Sequence, residues 1–553
     1  MNRWLKLMIL SLLMVFVASF SFASDKVTDI TKEVLVGPGS VAIQTQKDIL
    51  MSFGGQIRMI PTSETDWDFG MADDLEDVGL PGYLGGALNK SFFKDHANEA
   101  GWVNNGYIRS EDRLYFNAMP KDRRWSFYAA LEFDRPLDTK TVDKRGGKDD
   151  EHSTFGLERL HGTMALPFGL RLHAGWDIWG LDVMDGGGLV YGDDNPGFWI
   201  TGEYGAISFN IGYFKLGENN YQNKITDLED ANNNDRDLYA GYVTYKYGAH
   251  KVKVFYAYDQ IENVKTGTFL NFFTGTMGNA PDVQSHHLGA YYTGKFAGFE
   301  FFLEGVYQFG TVDDVKGYAH DDYDISAYAF AGDIAYDLKD LIGFTFKPHI
   351  GFIYTSGDDD PDDDELNGYT GVENAQRFSQ YWGGENTIIA DTNLVLGSVL
   401  YGYLPEMYGN GTPIQIGGLQ NLSGVGIGRG DNPGMTMLSC GLTVAPKRFI
   451  IYRTNVNSFW WNEDIVVTSF ADGATTTKVE GDYVGTEWDN EITLALSKHT
   501  FIKGQASFFF AGDTIEDVTS ALTSYTTATG QKIKGPESDD TAMRFAAELI
   551  WTF

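Results

Sequence analysis

The chain has 553 residues with 76 acidic against 42 basic side chains, a formal net charge of −34. Such a surface repels nucleic acid and anionic polymers at long range, so no nucleic-acid partner is expected. Cys440 is the only cysteine, which excludes a disulfide framework, a Cys-ligated zinc site and covalently attached c-type haem.

In chain order, Arg3 and Lys6 precede an apolar run that leads to Ser21, Phe22 and Ala23. This is the pattern of a secretory signal peptide over residues 1–23, cleaved after Ala23; the run is short for a retained spanning helix. Ser24 follows rather than a cysteine, so a lipid anchor is not expected. Cleavage takes the basic count to 40 against 76 acids, a mature charge of −36. Residues 24–49 form an N-terminal segment that is either a periplasmic tail or an inserted plug.

Beyond the leader no further run of about 18 apolar residues occurs, so no other helical span is available. Instead, about eighteen segments alternate apolar and polar residues, from 50–60 and 106–119 to 500–510 and 542–553. In 125–133, Trp125, Phe127, Ala129, Leu131 and Phe133 form one face while Ser126, Tyr128, Ala130 and Glu132 form the other. Each segment is near the ~10 residues that a tilted strand needs to cross the hydrocarbon layer. Connections alternate too. Short ones such as 120–124, 204–206, 247–250, 294–298 and 445–448 separate long ones such as 61–105, 217–236, 261–285, 357–432, 460–486 and 511–541. With 38 Phe, 30 Tyr, 12 Trp and 65 Gly, the expected fold is all-β: one antiparallel up-and-down transmembrane barrel over 50–553, with short periplasmic turns and long extracellular loops. The last strand ends with Phe545, Ala547, Leu549, Trp551 and Phe553 on one face, suited to lipid, and closes on "FGGQIRM" of the first. The expected location is the bacterial outer membrane, with the lipid bilayer as partner and Phe553 as the residue offered to the barrel-assembly machinery.

A barrel of 16 to 18 strands is wide enough for an aqueous channel unless it is plugged. Strand parity turns Arg58, Arg113, Arg159, Arg171, Lys253, Lys347, Arg453, Lys503 and Arg544 inward, facing Glu132, Asp177, Glu300, Glu304, Asp489, Glu491 and Glu548. These are the candidate pore-lining residues; such rings set selectivity by charge and size, or simply pair with one another. The loop "SGDDDPDDDE" (356–365) offers Asp358, Asp360, Asp362 and Asp364 as candidate Ca²⁺ ligands, against the reading of a solvated loop. The acid-rich 227–237 is open to the same two readings. Residues 386–430 are too apolar for a free loop and are expected to fold inward as a constriction or to contain a short helix. His286 and His287 are the one adjacent histidine pair, near an extracellular strand end. No G-x-S-x-G, H-E-x-x-H, P-loop or haem-attachment motif occurs, so neither an enzyme nor an organic cofactor is expected.

The stretch "GTEWDNEITLALSKHTFIKGQASFFFAGDTIEDV", with Gly485, Glu487 and Asp489 at its start and Ala511–Asp513 after its second strand, resembles the last hairpin of the alginate-export type of eighteen-stranded outer-membrane proteins. The acidic "YTSGDDDPDDD" resembles the start of a long loop in that family. The resemblance covers about a quarter of the chain, and the first half agrees in architecture alone. It implies conduction of anionic polysaccharide or small solutes through an arginine-lined pore. The mixed basic and acidic inner face fits a diffusion channel for small hydrophilic, anion-leaning solutes. Two alternatives stand: an alginate-like exopolysaccharide exporter, and a barrel sleeve around an outer-membrane electron conduit.

Overall fold

The computed structural model describes residues 41–43, 48–66, 69–70, 74, 105–137, 156–181, 189–217, 236–261, 282–313, 320, 322–360, 363–374, 433–469, 475–480 and 482–553. Eighteen antiparallel strands close into one barrel. They are β1 (Ile49–Thr65), β2 (Asn105–Pro120), β3 (Trp125–Pro136), β4 (Gly156–Ala165), β5 (Leu170–Gly180), β6 (Tyr191–Tyr204), β7 (Ile207–Gly217), β8 (Arg236–Tyr247) and β9 (His250–Ile261). The other half comprises β10 (Asp282–Phe296), β11 (Phe299–Asp313), β12 (Tyr323–Tyr336), β13 (Thr345–Thr355), β14 (Met435–Lys447), β15 (Ile450–Trp461), β16 (Tyr483–Ala495), β17 (Thr500–Ala511) and β18 (Ala542–Thr552). Each pairs with its sequence neighbour, and β18 pairs with β1 from Gln56↔Thr552 to Thr65↔Met543. No strand edge is left for hydrocarbon, where an unmade backbone hydrogen bond would be costly.

The seam explains the terminal aromatic. Gly55 N–H donates to the Phe553 carbonyl and Phe553 N–H to the Gly55 carbonyl, both at 3.0 Å. The Phe553 ring lies over Gly55, where a Cβ would come within 2.5 Å of it, and packs on Phe53 with centroids 5.8 Å apart. Turn chemistry makes the short connections. Ala297 and Gly298 both have positive φ, 50° and 89°, the signature of a two-residue turn whose twist matches the hairpin.

The outer face is mostly apolar, with Ile211, Leu303 and Ile350 among its exposed side chains, although Asp112 of β2 and Asn490 of β16 fall on it. Near the extracellular strand ends an aromatic series crosses neighbouring strands: Tyr213–Tyr239, tilted, at 5.2 Å, then Tyr239–Tyr258 at 6.0 Å, Tyr258–His286 at 4.5 Å and His286–Phe309 at 5.0 Å, all stacked. Phe116–Phe127 and Phe299–Tyr336 hold corresponding positions toward the periplasmic end. These are the aromatic girdles expected at the two bilayer interfaces. His286 therefore faces outward in the girdle while His287 is buried inside.

Three departures from a plain barrel position the interior. First, β6 begins at Tyr191, earlier than the 197–203 expected from alternation, because residues 189–191 turn inward. Second, residues 356–360 and 363–374, which sequence reading left in a long loop, fold back across the inner wall. Glu365–Leu366 pair parallel with β12 and Glu373–Asn374 with β6. Third, the β17–β18 connection carries helix α1 (Asp513–Thr523), begun by Asp513 and Glu516 as suits a helix N-terminus. Its buried Ile515, Val518 and Leu522 share one apolar cluster with Phe69, Phe459, Val467, Val479 and Phe509, so the helix roofs β15–β17 from inside. Of the leader, residues 41–43 pair with Met51–Phe53 of β1. The signal peptide and the expected constriction at 386–430 lie outside the described residues.

Phe553→Ala removes the ring from Gly55 and leaves the backbone seam intact. The expected cost is about 1–2 kcal/mol for a half-exposed aromatic, read as a lower temperature at which the folded band is lost in unheated gels. An unchanged transition would show that the seam does not rely on this ring.

Candidate functional site on the inner wall

Alternation turns one set of side chains into the barrel, and that set is charged. On β18 and β1, Glu548 lies 2.9 Å from Arg58, which also ion-pairs with Glu111 of β2. Lys503 of β17 reaches Glu548 at 3.4 Å. Arg113 contacts Glu111 at 3.2 Å, Glu132 of β3 at 2.5 Å and Glu158 of β4 at 3.6 Å. A bulge in β4 opposite Ala130 and Leu131 adds Glu158 beside Arg159, 3.9 Å away, so both adjacent residues join the charged face. In the other direction Gln505 donates to Glu491 at 3.2 Å, and Arg453 of β15 lies 3.9 Å from Glu491. Alternating charges thus run along the wall from β15 through the seam to β4.

Beyond Arg453 the polar wall continues through a clamped imidazole. His349 of β13 binds Asp333 of β12 through Nδ1 at 2.8 Å and Asn455 of β15 through Nε2 at 2.6 Å. The second contact passes over β14, which contributes Gly441 there. A Cβ on Gly441 would fall 2.0 Å from Asn455 Oδ1 and 2.3 Å from His349 Nε2. Next to it Lys347 and Lys295 both reach Glu300, at 2.8 Å and 2.5 Å.

Over β6–β12 the inner face is covered instead. Tyr369 OH donates to the Leu189 carbonyl, and Val372 N–H donates to the Val190 carbonyl at 2.7 Å. Gln308 both accepts from Thr370 N–H and donates to its hydroxyl. His287 Nε2 meets the Thr370 carbonyl at 3.0 Å. Arg236, ion-paired with Asp259 at 2.7 Å, also donates to the Val372 carbonyl at 2.8 Å. Beneath lie Trp179, Trp199 and Phe214, with Trp179 and Phe214 centroids 4.7 Å apart.

The residues expected to line the pore fall in three kinds of setting. Arg58, Arg113, Arg159, Glu132, Lys503, Glu548 and Glu491 lie in the ion-pair series, while Arg544 pairs with Glu64 at 3.6 Å. Asp177 lies 3.2 Å from His161, and Lys347 belongs to the Glu300 cluster. Lys253 is buried rather than open: it donates to the Leu181 carbonyl at 3.0 Å and lies 3.9 Å above the Tyr242 ring. Glu304 and Asp489 are also buried. Arg171 donates to Thr163 Oγ1 at 2.8 Å and to the Arg123 carbonyl. The reading of 356–365 as a solvated loop is corrected at Asp358, which is 2% exposed where the segment turns inward. Among the described residues no three His, Cys, Asp or Glu side chains converge as a metal site; Asp360 and Asp364 are described, and Asp362 is outside the described residues. In the acid-rich 227–237, Arg236 and Asp237 are buried strand residues of β8. Asp333, His349, Glu111 and Glu158 were not singled out from sequence, although parity would have turned the first three inward; the bulge hides the fourth.

Acids also crowd the extracellular roof. Burial, then Asp539, Asp513, Glu537 and Asp517, raise the Glu516 carboxyl above its ordinary range; burial, with Glu537, Asp513 and Glu480, raises Asp517 against the pull of Lys534. Raised folded-state values mean the folded roof holds protons that the opened form releases. Its stability is therefore lost as pH rises through the raised values and gained as pH falls toward the ordinary 4.5 and 3.8. Amide exchange in α1, corrected for intrinsic rates, is expected to slow between pH 7 and pH 5; faster opening at pH 5 would contradict this.

Arg58 is the buried hub. Arg58→Met leaves Glu111 and Glu548 without it, an expected cost of about 3–5 kcal/mol in urea unfolding from lipid. Lys121→Ala, which breaks an exposed 3.2 Å pair with Asp48, should cost under about 1 kcal/mol. Equal effects would contradict the contrast.

Residues 221–399 match the family model described as alginate export. The matched stretch includes the acidic 354–364 segment and excludes the last hairpin. Comparison with curated proteins gives no match. Similar solved structures include Pseudomonas aeruginosa OccK9 (OpdG), with TM-score 0.44, 9% identity, 91% of this chain and 98% of that one covered. P. aeruginosa OccK11 (OpdR) gives 0.43, 10%, 93% and 99%. The anion-selective porin from Comamonas acidovorans gives 0.37, 9%, 91% and 100%. The chain is thus a closed antiparallel β-barrel with an aromatic girdle at each end, and its residues 221–399 are similar to the alginate-export family.

Proposed function

We propose that the barrel is a passive channel for small hydrophilic solutes, leaning toward anions at Arg171 and Arg453. The supporting observation is the uneven pairing of the inner cations. Arg58 and Arg113 each contact two or more carboxylates, and Lys503 contacts one. Paired charges largely cancel for a passing ion. Arg453 is half exposed and meets Glu491 only at 3.9 Å. Arg171 is held by neutral oxygens. Each therefore keeps net positive potential toward a solute, while the surrounding pairs keep the wall polar and replace part of the solute's hydration. The roof acids act at longer range, where salt screens them within about 10 Å.

A second reading, export of an anionic exopolysaccharide, is favoured by the alginate-export match over 221–399. The same cations would then meet successive acidic groups of one polymer. A deletion strain that stops secreting polymer would support export, and unchanged secretion would exclude it.

The primary test is reversal potential across a planar bilayer in a potassium chloride gradient. The wild type is expected to favour chloride. Arg171→Gln and Arg453→Gln should each lower that preference roughly twofold and together remove it. A purified barrel without discrete conductance steps would overturn the channel, and a cation-selective wild type would overturn the anion preference.

A further inference from the structure

The clamped imidazole borders a cavity of about 470 Å³ at the periplasmic end of the wall, lined by Thr293, Lys295, Glu300, Phe302, Asp333, Lys347, His349, Thr443, Arg453 and Asn455 among others. This volume is in the range of small-molecule sites, ~300–1,000 Å³. Its polar groups are not arranged as a random charged surface. Both carboxylates are already engaged: Glu300 accepts from Lys295 and Lys347, and Asp333 accepts from His349. The imidazole is fixed at both nitrogens, and Gly441 is the gap through which it reaches Asn455. What the cavity presents to an incoming molecule is therefore mostly donors: the Arg453 guanidinium, which among the described residues has no contact closer than 3.9 Å to a carboxylate, the Lys347 ammonium and the Thr443 hydroxyl.

We propose that this cavity is a saturable docking site for a small oxyanion, held between Arg453 and Lys347 with its remaining polar edge toward Thr443 and Asn455. It rests on the channel reading, giving the anion preference a discrete site instead of a diffuse potential. Arg453 binds the anion directly, its planar fork suited to two oxygens of a carboxylate or phosphate. His349 is a positioning residue that fixes Asn455 across β14. Phe302, buried in the cavity wall, gives the apolar surface against which a carbon skeleton can lie.

The test uses the full mature barrel with sodium gluconate, sodium phosphate and sodium chloride as separate probes. Single-channel conductance is expected to saturate with concentration for gluconate or phosphate and to stay linear for chloride. Saturation by gluconate alone assigns a carboxylate site, and by phosphate alone a phosphate site; either supports the proposal. Arg453→Gln should raise the half-saturating concentration about tenfold by removing a charge-assisted contact. Gly441→Ala, which crowds the His349–Asn455 contact, and Asn455→Ala, which removes it, should each raise that concentration. Linear conductance for all three salts overturns the site even if the channel conducts. Binding is read independently by saturation-transfer NMR for gluconate and phosphorus line broadening for phosphate in detergent micelles. A signal lost in Arg453→Gln supports the site even in a barrel that conducts nothing; equal signals in wild type and variant overturn it.

Discussion

Hydrocarbon offers no partner to a backbone N–H or carbonyl, so a chain that crosses it in strands must pair the first strand with the last. In this molecule that obligation falls on β1 and β18, joined in register from Gln56↔Thr552 to Thr65↔Met543 and finished by the reciprocal bonds of Gly55 and Phe553. Once the ring is closed, side-chain alternation leaves no choice about what the interior contains. The apolar half of each strand faces lipid, and the polar half is enclosed with its own charges.

Enclosed charges need partners, and the wall supplies them between neighbouring strands: Glu548 to Arg58, Arg58 to Glu111, Arg113 to Glu132 and Glu158. Pairs this sheltered are specified by geometry more than they are stabilising, because each desolvated partner depends on the other. Over β6–β12 the chain covers the wall as well, above pairs such as Arg236–Asp259. Residues 189–191 and 363–374 lie over Trp179, Trp199 and Phe214, and backbone groups of 363–374 are met by Arg236, His287 and Gln308. The interior is therefore two-sided, with an ionic wall from β15 through the seam to β4 and a covered wall over β6–β12.

The barrel was legible because its signal repeats every second residue. Parity alone assigned Arg58, Lys503 and Glu548 to the same face, and the alternation of short and long connections gave the strand number. What escaped were features that break the period or depend on distant segments. The β4 bulge adds Glu158 to the inner face out of phase. The inward course of 363–374 is fixed by contacts with β6, β8, β10 and β11, which no local pattern in "ELNGYTGVEN" announces. Lys253 carries the same local signal as Lys503, yet one is buried under Leu181 and the other joins the ion-pair series. The clamp of His349 depends on Gly441 ninety-odd residues later, a relation visible only once β13 and β14 lie side by side.

The central claim, one closed barrel with lipid outside and a water-contacting ionic wall within, is tested most directly by single cysteines along β15 in a Cys440→Ser background. Each is exposed in liposomes to a membrane-impermeant, water-soluble thiol reagent. Labelling is expected to follow a period of two, fast at 453 and 455 and slow at 452, 454 and 456. Uniform labelling, or protection of both faces alike, would contradict the barrel as described.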